Sequence, residues 1–247
     1  MKALILNSGT GTRMGVLTSE HPKCMTEITS NQTIISRQLI YLADAGIKEV
    51  IVTTGYYEEV LISYIQSLEL PISVKYVHNP LFDKTNYIYS IYCAREYLDD
   101  DIILMHGDLV FDSSVLESVV NSKESCMTVS STLALPEKDF KAVIHNNRIE
   151  KVGIEFFDSA LAAQPLYKLN RNDWLVWLNQ IKSYCESDRR KCYAENAFNE
   201  VSDKCLIRPL DVKDELCAEI DNAEDLERIK NILIEEGKKC KEKVMKR

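Results

Sequence analysis

Short runs of β-branched residues alternate with stretches of helical periodicity through the first half of the chain, and this alternation restricts the fold more than any other feature. It predicts βαβ units around a mostly parallel sheet, because parallel strands need crossover connections. Residues 3–6 read as a first strand. Apolar residues at helical spacing follow (Ile34, Ile35, Leu39, Leu42), between the cap candidate Thr33 and the stop at Gly46. A strand at 50–53, a helix over 58–68, a break at Pro71 and a strand at 73–77 come next, and then a helix over 89–97 and a strand at 102–105. After Asn121 the rhythm changes. Residues 127–132, and the pair 142–144 and 149–152 joined at Asn146-Asn147, read as antiparallel strands with a hairpin turn. Strands at 166–169, 206–209 and 217–220 and helices over 174–185 and 223–236 complete the pattern, with Asn222 and Asp225 capping the last helix. The fold class expected is α/β, with a central, mostly parallel mixed sheet flanked by helices and an antiparallel hairpin extension in the second half. No repeat or low-complexity linker divides the chain, so 1–247 is expected to be one domain.

Charge narrows the partners. The 247 residues carry 30 Lys+Arg against 38 Asp+Glu, a formal net charge of −8, and the dense basic run is confined to 238–247. Nucleic acid is not expected as a partner, because phosphate neutralisation needs a basic footprint. No stretch of 18 apolar residues occurs, and the apolar start is too short for a signal-peptide core, so a cytoplasmic protein without an integral membrane segment is expected. The eight cysteines (Cys24, Cys93, Cys126, Cys185, Cys192, Cys205, Cys217, Cys240) form no C-x-x-C pair and read as free thiols of a reducing compartment.

The strongest local signal is the strand that runs from Leu4 through Leu6 into Asn7-Ser8-Gly9-Thr10-Gly11-Thr12-Arg13-Met14. Glycines let backbone N–H groups approach anionic oxygens, and a following cation can stabilise a leaving phosphate. A dinucleotide fingerprint would need a third glycine at Met14, and a Walker loop would need Gly-Lys-Ser/Thr; neither is present. A plain glycine turn would look the same locally. Pro22-Lys23 lies within reach if the loop folds back, Lys being a common point charge for phosphate. Asp108, just past the strand at 102–105, and Glu219 with Asp221 two residues on offer hard oxygen ligands of the kind Mg²⁺ takes, although an isolated strand-end acid is usually only solvated. Of the four histidines (His21, His78, His106, His145), only His106, two before Asp108, stands near this chemistry.

The order of glycine loop, Pro-Lys, strand-end Asp and late Glu-x-Asp resembles the sugar-phosphate nucleotidyltransferase (pyrophosphorylase-like) superfamily, in its phosphocholine cytidylyltransferase-like branch. The likeness runs through most of 1–112 and returns over 190–236. It departs where the family commonly has Ala-Ala-Gly for Asn7-Ser8-Gly9 and Pro-Leu for Cys24-Met25. The resemblance implies a Rossmann-like nucleotidyltransferase fold, with 1–112 as a nucleotide-binding half and 113–247 as an acceptor-binding half. It implies that Leu6, Asn7, Ser8, Gly9, Thr10, Gly11 and Thr12 hold the nucleotide, with Arg13 and Lys23 as the catalytic cations. Asn86, Ser90 and Gly107 would meet the nucleotide too, with Gly55 and Tyr56 nearby, while Asp108, Glu219 and Asp221 would bind Mg²⁺.

The reaction so implied moves CMP from CTP to a small amine-bearing phosphate or phosphonate (phosphocholine, phosphoethanolamine or 2-aminoethylphosphonate) and releases pyrophosphate. Tyr193, Glu195 and Tyr167 are the acceptor-site candidates, since an ammonium head group calls for a carboxylate or an aromatic face; a solvated helix position is the plainer reading of Glu195. Trp174 and Trp177, at i and i+3, read as a buried helix face, and the run 188–191 as a solvated loop. Two alternatives stand beside this reading: a sugar-1-phosphate nucleotidylyltransferase using UTP or dTTP, and a noncatalytic nucleotide-binding module. The tyrosine-rich half and the hairpin at Asn146 offer a surface for a homodimer, though nothing in the sequence forces one.

Overall fold

The computed structural model describes residues 1–9, 11, 14–15 and 18–245, without the side chains of 236, 237 and 239–245. In chain order its elements begin with β1 (Lys2–Leu6), a 3₁₀ turn (Lys23–Met25), the small hairpin β2 (Glu27–Thr29) and β3 (Gln32–Thr33), α1 (Ile34–Asp44), β4 (Glu49–Thr54), α2 (Glu58–Ser67) and β5 (Ser73–His78). They continue with α3 (Tyr87–Ala94), β6 (Ile102–His106), β7 (Leu109–Phe111), α4 (Ser113–Asn121) and β8 (Ser125–Ser130). The second half adds β9 (Lys141–His145), β10 (Arg148–Gly153), β11 (Ala160–Leu169), α5 (Arg171–Glu186), α6 (Ala194–Val201), β12 (Ile207–Asp211), β13 (Cys217–Glu219) and α7 (Ala223–Met245).

The main sheet runs β10-β9-β11-β6-β1-β4-β5, with β8 beside β11 and β12 beside β8. The strands β6, β1, β4 and β5 are mutually parallel, whereas β11 pairs antiparallel with β6, β8 and β9. Parallel strands covered by helices on both faces should be apolar through their length, and β1 is so after Lys2: Ala3 and Ile5 join one core cluster, Leu4 and Leu6 the other. The hairpin turn expected at Asn146-Asn147 joins β9 to β10, both residues having positive φ (50° and 57°), which suits asparagine at a two-residue turn.

Thr33 caps α1 as expected, its Oγ1 accepting from the Ser36 N–H at 3.1 Å. The helix expected at 89–97 begins earlier, because the Asn86 side chain accepts from the Tyr87 N–H, and it tightens to 3₁₀ over Arg95–Tyr97. Trp174 and Trp177 are buried as read, and each indole N–H finds a carbonyl: Leu98 O and Ala194 O, both at 2.9 Å. The described cysteines are all free, and among the described residues no helix is long and apolar enough to cross a membrane.

Candidate active site

The strands β1 and β6 lie side by side, but the chain leaves them in opposite directions. From β1 it moves outward through β4 to β5, then crosses back to enter β6 on the other flank. A crevice opens beyond the carboxyl ends of such strands, where the loops part. Here it is a cleft of about 470 Å³ whose walls come from the loop after β1, the start of α3, the end of β6, the loop before β9, Tyr193 and the β13–α7 junction.

On the floor, the Ser8 hydroxyl bonds those of Thr53 (3.0 Å) and Ser90 (2.8 Å), and Asn79 Nδ2 donates to Ser90 Oγ at 3.0 Å. This chain of hydroxyls ties the loop after β1 to β4 and α3. Two glycines let the backbones approach: a Cβ on Gly55 would overlap the Ser8 carbonyl, and one on Gly107 would overlap the Asn7 side chain and Leu6 O. Gly9, by contrast, would carry a Cβ into open space.

At one end of the cleft the charges gather. The Lys23 ammonium donates to Asp108 Oδ2 at 2.6 Å and to Asp221 Oδ1 at 2.8 Å. Burial pulls the Lys23 pKa down, but Asp108 and Asp221 outweigh it and leave it raised. Asp108 is lowered despite burial, chiefly by Lys23 and His106. Glu219 is brought in by the antiparallel pairing of β13 with β7, where Ile220 N–H bonds Asp108 O at 3.0 Å. Its carboxylate meets His106 Nδ1 at 2.9 Å. Burial and the Asp108 charge push Glu219 up to about 7; in His106, burial is outweighed by the bond to Glu219 and its charge, lifting the imidazole to about 9.

A metal fits this donor set. His106, Asp108 and Glu219 each offer one ligand atom, all within 4.8 Å of one another, and Lys23 bridges Asp108 to Asp221 beside them.

At the other end the walls are aromatic. Tyr87 lies edge-on to His106 (4.7 Å between centroids) and beside Tyr193 (5.9 Å), and Phe140 meets Tyr193 edge-on at 5.1 Å. Behind them Glu195 is 1% exposed and accepts from Tyr167 Oη at 2.9 Å and from Tyr87 Oη. Burial and the Glu195 charge raise both phenols well above their ordinary range, so they donate. Glu195 is therefore a buried acceptor of two phenol hydroxyls, not a solvated helix residue.

The cleft brings together Leu6, Asn7, Ser8, Gly9, Gly11, Lys23, Asn86, Ser90, Asp108, Tyr193, Glu219 and Asp221 of the sequence candidates. Gly55 and Gly107 pack against the loop after β1; Tyr56, 70% exposed, lies 6.2 Å from Phe82 at the rim. Tyr167 and Glu195 sit behind the wall. Thr10, Thr12 and Arg13 lie outside the described residues. Sequence reasoning missed Tyr87, Phe140 and the loop residues Lys138 and Asp139, which line the cleft only through tertiary placement. The signal available for Tyr87 was Asn86 as a helix cap.

The sequence model described as nucleotidyl transferase matches residues 2–142. The CTP:phosphoglutamine cytidylyltransferase of Campylobacter jejuni is 32% identical over 135 residues, 52% of this chain and 52% of that protein. The CMP-5'-(3-aminopropyl)phosphonate synthase of Streptomyces rubellomurinus is 32% identical over 131 residues, 53% of this chain and 21% of that protein. The chain thus matches about half of the first relative's length and about a fifth of the second's. Among solved structures, the CTP:phosphocholine cytidylyltransferase of Streptococcus pneumoniae shares the fold with a TM-score of 0.78 at 18% identity, covering 94% of this chain and 98% of that one.

Proposed function

The chain belongs to the nucleotidyl transferase family, and we propose that it transfers CMP from CTP to a small phosphate or phosphonate bearing an amine, releasing pyrophosphate. One observation carries the acceptor class: an aromatic wall (Tyr87, Phe140, Tyr193) backed by the buried carboxylate Glu195, in the same cleft as the Lys23–Asp108–Asp221 cluster. An aromatic face and a desolvated negative charge attract a cation and give a neutral sugar ring no matching partner. The names of the two relatives, which refer to phosphoglutamine and to an aminopropylphosphonate, agree with a nitrogen-bearing acceptor.

In this reading 1–112 holds the nucleotide and 113–247 supplies the acceptor wall. An acceptor oxygen attacks the α-phosphorus in line, forming the new P–O bond as the bond to the β-phosphate oxygen breaks, and the electron pair leaves with pyrophosphate. An ionised phosphate or phosphonate needs no general base, so the protein's part is alignment and charge. Lys23 offsets phosphate charge, Gly9 and Gly11 let the backbone approach, and the Ser8–Ser90 contact fixes the floor. His106, Asp108 and Glu219, with Asp221 beside them, would hold the dication, which when bound neutralises phosphate oxygens.

The test is pyrophosphate release with CTP, UTP, dTTP, ATP and GTP against phosphocholine, phosphoethanolamine, 2-aminoethylphosphonate, phosphoglutamine and sugar 1-phosphates. Turnover with CTP and an amine-bearing acceptor is expected. Turnover only with sugar 1-phosphates would overturn the acceptor class, and silence with nucleotide bound would point to a noncatalytic module.

A further inference from the structure

Lysine is rarely buried without partners, yet Lys141, the first residue of β9, is 0% exposed. Its neighbours in the sheet leave room for it: Lys141 stands in register with Gly153 of β10 and Ala162 of β11, two small residues beside a long side chain. Its Nζ donates to the main-chain oxygens of Pro136 at 2.5 Å, Asp139 at 3.2 Å and Glu137 at 3.5 Å, and lies 4.2 Å from the centre of the Phe157 ring. One side chain thus joins two loops, the one before β9 and the one between β10 and β11. Both reach the cleft, the first through Lys138, Asp139 and Phe140, the second through Ile154, while Lys141 and Phe157 stand behind its lining. Residues 131–140 form neither helix nor strand. The far end of this loop is tied by Ser130 Oγ, which accepts from the Leu133 N–H at 3.1 Å, and by Asp211, which accepts from the Ser131 N–H at 3.0 Å. Its near end is gathered by Lys141, next to Phe140, the ring that meets Tyr193 edge-on.

We propose that Lys141 positions the acceptor wall: its buried Nζ holds residues 136–139 in the shape that seats Phe140 against Tyr193, and so sets acceptor affinity without touching the acceptor. The inference rests on the reading above only in taking the aromatic end of the cleft as the acceptor's place. A loop that is already ordered loses no further freedom when the acceptor binds. A released loop must be ordered at that moment, and the loss appears in affinity. The nucleotide end does not depend on this clamp, because its floor is held by the hydroxyls of Ser8, Thr53 and Ser90. Losing the clamp therefore divides the two substrates: acceptor binding weakens and CTP binding does not.

The experiment compares the wild type with Lys141→Met, which keeps an unbranched side chain without the donor, and with Phe157→Ala, which removes the ring from an exposed position. Hydrogen exchange of the free proteins reads the loop. Steady-state kinetics read kcat and KM for CTP and for whichever of phosphocholine, phosphoethanolamine, 2-aminoethylphosphonate, phosphoglutamine or the sugar 1-phosphates is turned over. In Lys141→Met the amides of 137–140 should exchange about tenfold faster while those of β1 keep their rates, since only a local opening has been made easier. KM for the acceptor should rise about tenfold, with kcat and KM for CTP within about twofold of the wild type. Phe157→Ala should move the same quantities in the same direction by about two- to threefold, and it decides the question if Lys141→Met fails to fold. Exchange that stays slow at 137–140, an acceptor KM that moves in neither variant, or a CTP KM that rises by the same factor would each overturn the proposal. Turnover of an amine-bearing acceptor with an unmoved KM would sink this inference and keep the proposed function. Turnover only of sugar 1-phosphates, with a KM that rises in Lys141→Met, would sink the amine class and keep the role of Lys141. A wild type that turns over none of these compounds would overturn both.

Discussion

Lys23 and Asp108 are separated by 85 positions in sequence, yet the Lys23 ammonium stands 2.6 Å from Asp108 Oδ2 and also reaches Asp221 at the other end of the chain. This cation gathers the loop after β1, the end of β6 and the β13–α7 junction. Lys23→Met should lower pyrophosphate release by about 10²–10³-fold, the usual effect of removing one charge-stabilising group from a preorganised site. It also leaves Asp108 and Asp221 without their shared donor. Both are partly solvated, so the stability loss should be about 1–3 kcal/mol, near 2–4 °C in Tm for each kcal/mol. An unchanged rate would remove Lys23 from the reaction; calorimetry and steady-state kinetics read both effects.

Glu195 should set acceptor choice. Glu195→Gln keeps the shape and an oxygen for one of the two tyrosine hydroxyls, so thermal stability should change little. Loss of the buried charge should raise KM for an amine-bearing acceptor on the order of tenfold, with KM for CTP nearly unchanged. Equal changes in both KM values would show that Glu195 only holds the fold of α6.

Much of this arrangement was legible locally. Thr33 as a cap, Asn146-Asn147 as a turn and Gly46 as a helix stop are signals carried within a few residues, and the structure keeps all three. The sequence also placed Lys23, Asp108, Glu219 and Asp221, because their order along the chain matches a known pattern. It did not show β7, a strand of three residues that exists only because β13 pairs with it from a hundred positions away. Nor did periodicity mark the extent of α6, whose two turns are too short for a clear repeat and whose N-terminus is tied down by Trp177; Glu195 alone was read as a helix position. The His106–Glu219 contact and the wall of Tyr87, Phe140 and Tyr193 depend on those long-range pairings. Periodicity reports which face of an element is buried; it does not report which faces meet.

The glycines of the cleft separate a packing role from a binding role. Gly55→Ala would press a methyl group into the Ser8 carbonyl and displace the backbone, costing about 1–3 kcal/mol. Gly9→Ala meets nothing within 4 Å, so the free protein should keep its Tm. If the loop binds phosphates through its backbone, Gly9→Ala should nonetheless raise KM for CTP, because its methyl group stands in the cleft. Thermal melts with and without CTP distinguish the two. A Gly9→Ala protein with normal CTP affinity would exclude close phosphate approach at that residue.

Stability should depend on pH in a way that reports on the His106–Glu219 pair. Both groups have folded pKa values above their unfolded ones: Glu219 rises from 4.5 to about 7, and His106 from 6.5 to about 9. The native state therefore binds more protons than the unfolded state between about pH 4.5 and 9, and stability falls as pH rises across that window. The Glu219 contribution is present below its unfolded pKa and lost as pH rises through about 7; that of His106 is present below 6.5 and lost through about 9. Asp108 acts in the opposite sense: its lowered pKa adds stability above 3.8 that is lost as pH falls. Melting curves in EDTA from pH 5.5 to 9 should show Tm declining with pH, and Glu219→Gln should flatten the decline below pH 7. A dication that displaces the shared protons would bind more tightly as pH rises and restore Tm most at the alkaline end. A Tm in EDTA that climbs from pH 5.5 to 9 would mean that the pair does not hold those protons in the folded protein.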